Sequence, residues 1–121
     1  MKKILLVDDE VALTRMMKLV LERTGKFEVH TENSGTKAVA AVREFQPDMI
    51  FLDIMMPEMS GDAIAQELRE DNELADIPVV FLTAIVSKQE TATLGSVIGG
   101  NRFLAKPVKA EDLIKVIEEL T

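Results

Sequence analysis

Asp8-Asp9, Asp53, Thr83 and Lys106 bring three carboxylates, a hydroxyl and an ammonium to the ends of four short apolar runs. Ile4-Leu5-Leu6-Val7 runs into Asp8-Asp9, and Met49-Ile50-Phe51-Leu52 into Asp53. Val79-Val80-Phe81-Leu82 runs into Thr83, and Phe103-Leu104-Ala105 into Lys106-Pro107. If these runs are parallel strands of one sheet, their C-terminal ends lie side by side, where open α/β sheets bind ligands. Two like charges about 4 Å apart repel by roughly 4 kcal/mol at an effective dielectric near 20. Three carboxylates in one cleft therefore need a cation or a retained proton. All-oxygen ligation with room for water suits Mg2+. An aspartate in such a site can act as the nucleophile of phosphoryl transfer, forming an acyl phosphate. The charge that develops on the equatorial oxygens then needs the metal, a cation and a hydrogen-bond donor. Lys106 could supply the cation and Thr83 the donor.

Each residue also has a plainer reading. Asp8 or Asp9 could N-cap a helix starting near Val11, and Asp53 could open a turn. Thr83 could be an ordinary strand-end residue, and Lys106 a solvated charge at a strand-to-helix turn. Only their joint placement at neighbouring strand ends favours a site. The Lys106-Pro107 bond, being X–Pro, can be cis, and a tight turn there would aim the ammonium inward.

The segments that would position these groups alternate between two periods. Between the apolar runs the spacing becomes helical: Leu13, Met16, Met17 and Val20; Ala38, Val42 and Phe45; Ile64 and Leu68; Leu94, Val97 and Ile98; Leu113, Val116, Ile117 and Leu120. Gly25 follows the first helix, Ser34 and Ser60 stand at N-cap positions, and Pro47 and Pro78 precede strands. Five βα repeats in 121 residues predict one α/β domain spanning 1–121, a doubly wound parallel sheet with helices on both faces. The first, third and fourth strands are apolar on both faces, as central parallel strands are. Lys26-Phe27-Glu28-Val29-His30 alternates, and the run from Asn101 to Ala105 is short and polar at its start. Both are expected at edges, which gives a five-stranded sheet of order 2-1-3-4-5. That is the flavodoxin-like (βα)5 arrangement, whose known switch point between strands 1 and 3 would hold Asp8, Asp9 and Asp53. Ser87 to Gly100 is rich in Ser, Thr and Gly, so the fourth helix is expected to be short or mobile.

Composition narrows the functional classes. A net charge of −7 argues against tight binding to nucleic acid or an anionic membrane. There is no cysteine, so disulfides are excluded. The apolar stretch after Met1-Lys2-Lys3 ends at Asp8, too short for a signal peptide's core, and no stretch approaches the roughly 18 apolar residues of a membrane span. A soluble, cytoplasmic protein is the expectation.

The constellation resembles the receiver domain of two-component response regulators along essentially its whole length. Asp53-Ile54-Met55-Met56-Pro57-Glu58-Met59-Ser60-Gly61 is similar to that family's phosphoacceptor loop, with Met56-Pro57 and Gly61 in register. Asp8-Asp9 matches the acidic pair, Thr83-Ala84 the switch hydroxyl and its small neighbour, and Lys106-Pro107 the lysine and cis-proline. The resemblance implies that Asp53 accepts phosphate from the phosphohistidine of a histidine kinase or phosphotransfer protein. It implies that Asp9, Asp53 and the backbone carbonyl of Met55 ligate Mg2+, with Asp8 acting through water. It further implies a switch in which Thr83 moves toward the phosphoryl oxygens and Phe103 rotates into the space it leaves. That would repack the surface of the fourth helix, fifth strand and fifth helix, where a downstream protein would bind and where a homodimer could form on phosphorylation. Read alone, Phe103 is equally a plain core aromatic.

Departures from the family pattern carry their own expectations. Phe103 stands where tyrosine is frequent, so no hydroxyl reports the switch at the surface. Met55 and Ile85, two residues past Asp53 and Thr83, are apolar where polar side chains could orient a hydrolytic water, which predicts slow self-dephosphorylation. His30 is expected on solvent, and the methionines around Asp53 in core and loop packing. Two rival functions remain. An aspartate-nucleophile phosphohydrolase wants a second aspartate two residues past its nucleophile, where Met55 stands. A pseudo-receiver, an interaction module that is never phosphorylated, typically lacks an acidic residue or the lysine, and neither is missing here. The domain is expected to act catalytically only in its own phosphorylation and dephosphorylation.

Overall fold

The computed structural model describes residues 1–83, 97–98 and 101–121. Its elements are β1 (Lys2–Val7), α1 (Val11–Glu22), β2 (Phe27–Glu32), a 3-10 turn (Gly35–Lys37), α2 (Ala38–Phe45), β3 (Met49–Asp53), α3 (Gly61–Glu70), β4 (Val79–Thr83), β5 (Val97–Ile98), β6 (Asn101–Ala105) and α4 (Ala110–Leu120). The parallel strands stand in the order β2-β1-β3-β4-β6, which is the expected 2-1-3-4-5 arrangement. Two expectations shift. β6 is not an edge, because β5 pairs with it antiparallel, Val97 opposite Arg102 and Ile98 opposite Asn101. The two residues joining these strands in sequence are both glycine, a composition favoured in two-residue hairpin connections. Val97 and Ile98 are therefore strand and not part of a helical stripe, while Leu94 and most of the expected fourth helix lie outside the described residues.

Alternation along the strands divides the core into two layers. Ile4, Leu6, Met49, Phe51, Val80 and Leu82 face α1 and α4, meeting Met17, Leu21, Leu113, Val116 and Ile117. Leu5, Val7, Ile50, Leu52, Phe81 and Phe103 face α2 and α3, meeting Ala38, Val42, Ile64, Ala65 and Leu68. Burying each large apolar side chain contributes about 1.5–3 kcal/mol, and both faces of the central strands do so, which explains their continuous apolar runs. β2 alternates instead, with Phe27 and Val29 buried and Glu28 and His30 exposed, as an edge strand's residues do. His30 lies on the Phe45 ring, centroids 4.9 Å apart.

The buried face of α1 is Thr14, Met17 and Leu21, and Met16 is half exposed. The buried stripe is rotated from the one that periodicity predicts, because Thr14 fills an inward position. Its hydroxyl donates back to the Val11 carbonyl at 3.1 Å and receives the Asn33 amide at 3.0 Å, so a polar residue is satisfied inside. Ser60 caps α3, accepting from the Ala63 N–H at 3.4 Å. Ser34 instead precedes the 3-10 turn and exchanges a hydrogen bond with Thr36, leaving α2 to begin after Lys37. Gly25 takes the left-handed conformation past α1, at φ +74. Gln46 does the same after α2 at φ 52, which no residue type announced.

Candidate functional site

Strand register brings the candidate site residues together. Val7 is level with Leu52 and Asp53 with Leu82, so Asp8, just past β1, reaches the end of β3 beside Asp53. Thr83 is level with Ala105, and the Thr83 carbonyl accepts from the Lys106 N–H at 2.9 Å, which sets Lys106 against the end of β4. The Lys106-Pro107 bond is cis. Asp8, Asp53 and Thr83 are buried, and Asp9 is exposed. One carboxylate oxygen from each of Asp8, Asp9 and Asp53 lies within 4.8 Å of the others.

The two buried carboxylates are held alike. Asp8 Oδ1 accepts from the Glu10 N–H at 2.9 Å, and Asp53 Oδ1 from the Met55 N–H at 3.2 Å. Each is an aspartate bonded to its own backbone two residues on, as in an Asx turn. That leaves both Oδ2 atoms facing the Lys106 ammonium, at 2.8 Å from Asp8 and 3.5 Å from Asp53. Asp8 Oδ2 is buried and, among the described residues, has no hydrogen bond of good geometry, its contact with Lys106 being an ion pair alone. The capping reading of Asp8 does not hold, since its Oδ1 meets the N–H of Glu10, which precedes α1, and α1 begins without a side-chain cap. A buried carboxylate oxygen lacking a hydrogen bond, beside two further carboxylates, is a donor set that fits a hard divalent cation such as Mg2+.

Electrostatics mark Asp53. Burial, followed by repulsion from Asp8, pushes its carboxyl up to about 6, against the opposing pull of Lys106 and the Met55 N–H. Burial alone would lower Lys106, but its close contacts with Asp8 and Glu10 and the charges of Asp8 and Asp53 outweigh it and raise the ammonium above its usual range. Lys106 therefore stays charged throughout the range in which Asp53 titrates.

The loop after Asp53 is fixed by close approach. The Gly61 N–H donates to the Ile54 carbonyl at 2.9 Å, and a Cβ on Gly61 would strike the Asp53 carbonyl oxygen and come within 2.9 Å of Ile54 Cα. Met56 packs into the core, Met59 is partly buried, and Met55 projects into solvent at 60 % exposure. Phe103 is buried beside Phe81, centroids 5.2 Å apart and tilted by 33°. A cleft of about 120 Å3 between Asp9, Asn33, Gly35, Met56 and Glu58 flanks the acidic group. Ala84 and Ile85 lie outside the described residues.

Sequence reading missed two participants. The Asn33 amide donates to the Asp8 carbonyl at 2.8 Å as well as to Thr14, tying the loop after β2 to the acidic turn. Glu10 reaches Lys106 at 3.1 Å. Of Asn33-Ser34-Gly35 the sequence singles out only Ser34, as an N-cap position, and nothing in Glu10's neighbours signals a contact with Lys106.

The chain matches the response regulator receiver domain over residues 4–118. It belongs to that family. This receiver domain is 35% identical over 120 residues to the DNA-binding dual master transcriptional regulator RpaA of Synechocystis, covering 99% of this chain and 49% of that protein. It is 36% identical over 113 residues to the DNA-binding response regulator MtrA of Mycobacterium tuberculosis, covering 93% of this chain and 47% of the relative. The chain thus spans about half the length of these curated relatives. Among solved structures it is similar to the chemotaxis protein CheY4 of Vibrio cholerae, with a TM-score of 0.83 at 28% identity, covering 100% of this chain and 99% of that one. The N-terminal domain of a response regulator receiver protein from Methanoculleus marisnigri gives 0.72 at 33% identity, covering 98% and 94%. Fold and family expectations from the strand ends are therefore met.

Proposed function

We propose that this receiver domain is a phosphoacceptor switch of a two-component phosphorelay, with Asp53 taking a phosphoryl group from the phosphohistidine of a histidine kinase or phosphotransfer protein. The observation that carries the reading is the convergence of the free Oδ2 atoms of Asp8 and Asp53 on the Lys106 ammonium. Asp53 attacks phosphorus through a carboxylate oxygen, the P–N bond breaks, and the imidazole nitrogen leaves with the electron pair. Lys106 meets the charge on the equatorial oxygens, and the Thr83 hydroxyl donates to one of them. Asp9, Asp53 and the Met55 carbonyl would hold Mg2+, with Asp8 acting through water; bound there, the ion supplies positive charge to the phosphoryl oxygens. The acyl phosphate then selects one of two packings around Thr83 and Phe103. A shift from 1:99 to 99:1 needs about 5.5 kcal/mol of differential stabilisation, which charge-assisted contacts could largely supply.

The proposed output surface includes the side of the sheet formed by β6 and α4, with a downstream protein or a second copy as partner; the expected fourth helix of that surface lies outside the described residues. RpaA and MtrA carry DNA-binding in their names. This domain, with the chain's charge of −7, is proposed not to contact nucleic acid itself. Among the described residues no helix is long and apolar enough to cross a membrane, and a cytoplasmic location is part of the proposal. The domain turns over no substrate beyond its own phosphoryl group.

Incubation with acetyl phosphate and Mg2+ should add about 80 Da to the intact mass, and Asp53→Asn should abolish the gain. With Met55 apolar at the mouth, the adduct should persist for minutes or longer; decay within seconds would remove that part of the reading. No gain in the native protein would favour a pseudo-receiver, and continuous phosphate release a phosphohydrolase.

A further inference from the structure

Lys106 meets one carboxylate more than phosphoryl transfer to Asp53 requires. An ammonium has three N–H donors, and its nitrogen lies 2.8 Å from Asp8 Oδ2, 3.1 Å from Glu10 Oε1 and 3.5 Å from Asp53 Oδ2. The phosphoacceptor is the most distant of the three. Glu10 stands outside the group of carboxylates that could share a cation, yet it accepts a hydrogen bond from Lys106 across a separation of 96 residues. Its backbone is fixed on both sides: the N–H donates to Asp8 Oδ1 at 2.9 Å, and the carbonyl accepts from Thr14 N–H at 3.1 Å. The side chain therefore starts from a set point and reaches Lys106.

The two nearer partners of Lys106 differ in how easily they are exchanged. Asp8 is 1% exposed at its side chain and cannot be replaced by water, whereas Glu10 is 61% exposed. Water can take the place of Glu10 at a cost comparable to that of losing a surface ion pair.

We infer that Glu10 is a positioning residue that holds the Lys106 ammonium on the α1 side of the cleft, so that the lysine engages a phosphoryl group only on releasing Glu10. The inference rests on the phosphoacceptor reading of Asp53. Glu10 would then set a threshold for phosphorylation: the resting ammonium is shared, and a dianionic donor meets an additional negative charge at the mouth.

The experiment compares the rate of mass gain with acetyl phosphate and Mg2+ in the native protein, Glu10→Gln and Glu58→Gln. Glu58 lines the cleft beside Asp9 and accepts from Thr36, and among the described residues no ion pair joins it to Lys106, so its substitution removes a nearby charge without releasing the lysine. Glu10→Gln should be phosphorylated roughly three- to fivefold faster, the factor expected for releasing one ion pair, and Glu58→Gln should change little. Equal gains in both variants would overturn the inference, since mouth charge alone would then suffice. Unchanged kinetics in Glu10→Gln, with the native protein still modified at Asp53, would overturn it while leaving the phosphoacceptor reading intact. No mass gain in any protein would remove both. A readout independent of phosphorylation is urea unfolding in EDTA, followed by circular dichroism, of Glu10→Gln, Lys106→Met and the double variant. The pair should couple by a factor of about three to five in the unfolding constant, and additive effects would count against it.

Discussion

At the scale of single residues, the proposed phosphoacceptor is set apart by what each carboxylate oxygen meets. Asp53 has one oxygen on the Met55 N–H and the other on Lys106, yet its burial beside Asp8 still holds its carboxyl at about 6. A carboxylate with a raised pKa keeps in the folded state a proton that the unfolded chain releases. The stabilisation from that proton is complete below about 3.8 and is lost as pH rises through about 6. In EDTA at pH 7.5, Asp53→Asn should therefore be more stable than the native protein, by up to about 3 kcal/mol at 1.36 kcal/mol per pKa unit. The difference should shrink steadily toward pH 4. Urea titrations of both proteins across that range test it, and a gap that does not depend on pH would refute the electrostatic cause.

At the scale of elements, the site depends on how closely α3 approaches the end of β3. Gly61 opens α3 against the backbone of Asp53 and Ile54, where a Cβ has no room, so its Gly is a packing requirement of this junction. Gly61→Ala should cost about 1–3 kcal/mol, as overpacking does, and should slow phosphorylation by displacing the loop that carries Met55. Urea unfolding and the acetyl phosphate rate measure the two effects. A stable Gly61→Ala protein with native kinetics would show that the loop tolerates the shift. α1 presents the complementary case: its inward Thr14 joins Asn33, which in turn holds the Asp8 carbonyl, so a polar position on a helix steadies the acidic turn.

At the scale of the whole molecule, a chain of net charge −7 gathers carboxylates from β1 and β3 at one end of its sheet. A cation bound there binds the folded state alone, because the unfolded chain does not bring residues 8, 9 and 53 together. Mg2+ at ten times its dissociation constant should add about 1.4 kcal/mol of stability, a rise of a few degrees in Tm for a domain of this size. Asp9→Asn should lose most of that rise. Thermal melts with Mg2+ and with EDTA decide it, and an equal shift in the variant would mean the ion binds elsewhere.

Much of this was legible in the order of residues. Runs such as Ile4–Val7 and Met49–Leu52 are apolar at every position because both faces of a central parallel strand are covered, and their abrupt ends at Asp8 and Asp53 located the site. The alternation in Phe27–His30 also marked a half-covered edge, whereas the edge expected at Asn101–Ala105 is covered by β5. Tertiary structure decided what periodicity cannot encode. That a short β5 lies on β6, that Thr14 rather than Met16 turns inward, and that Glu10 shares Lys106 all depend on partners distant in sequence. A local pattern records which face of an element avoids water; which atoms meet across the cleft is fixed only when register and packing bring the strand ends into contact.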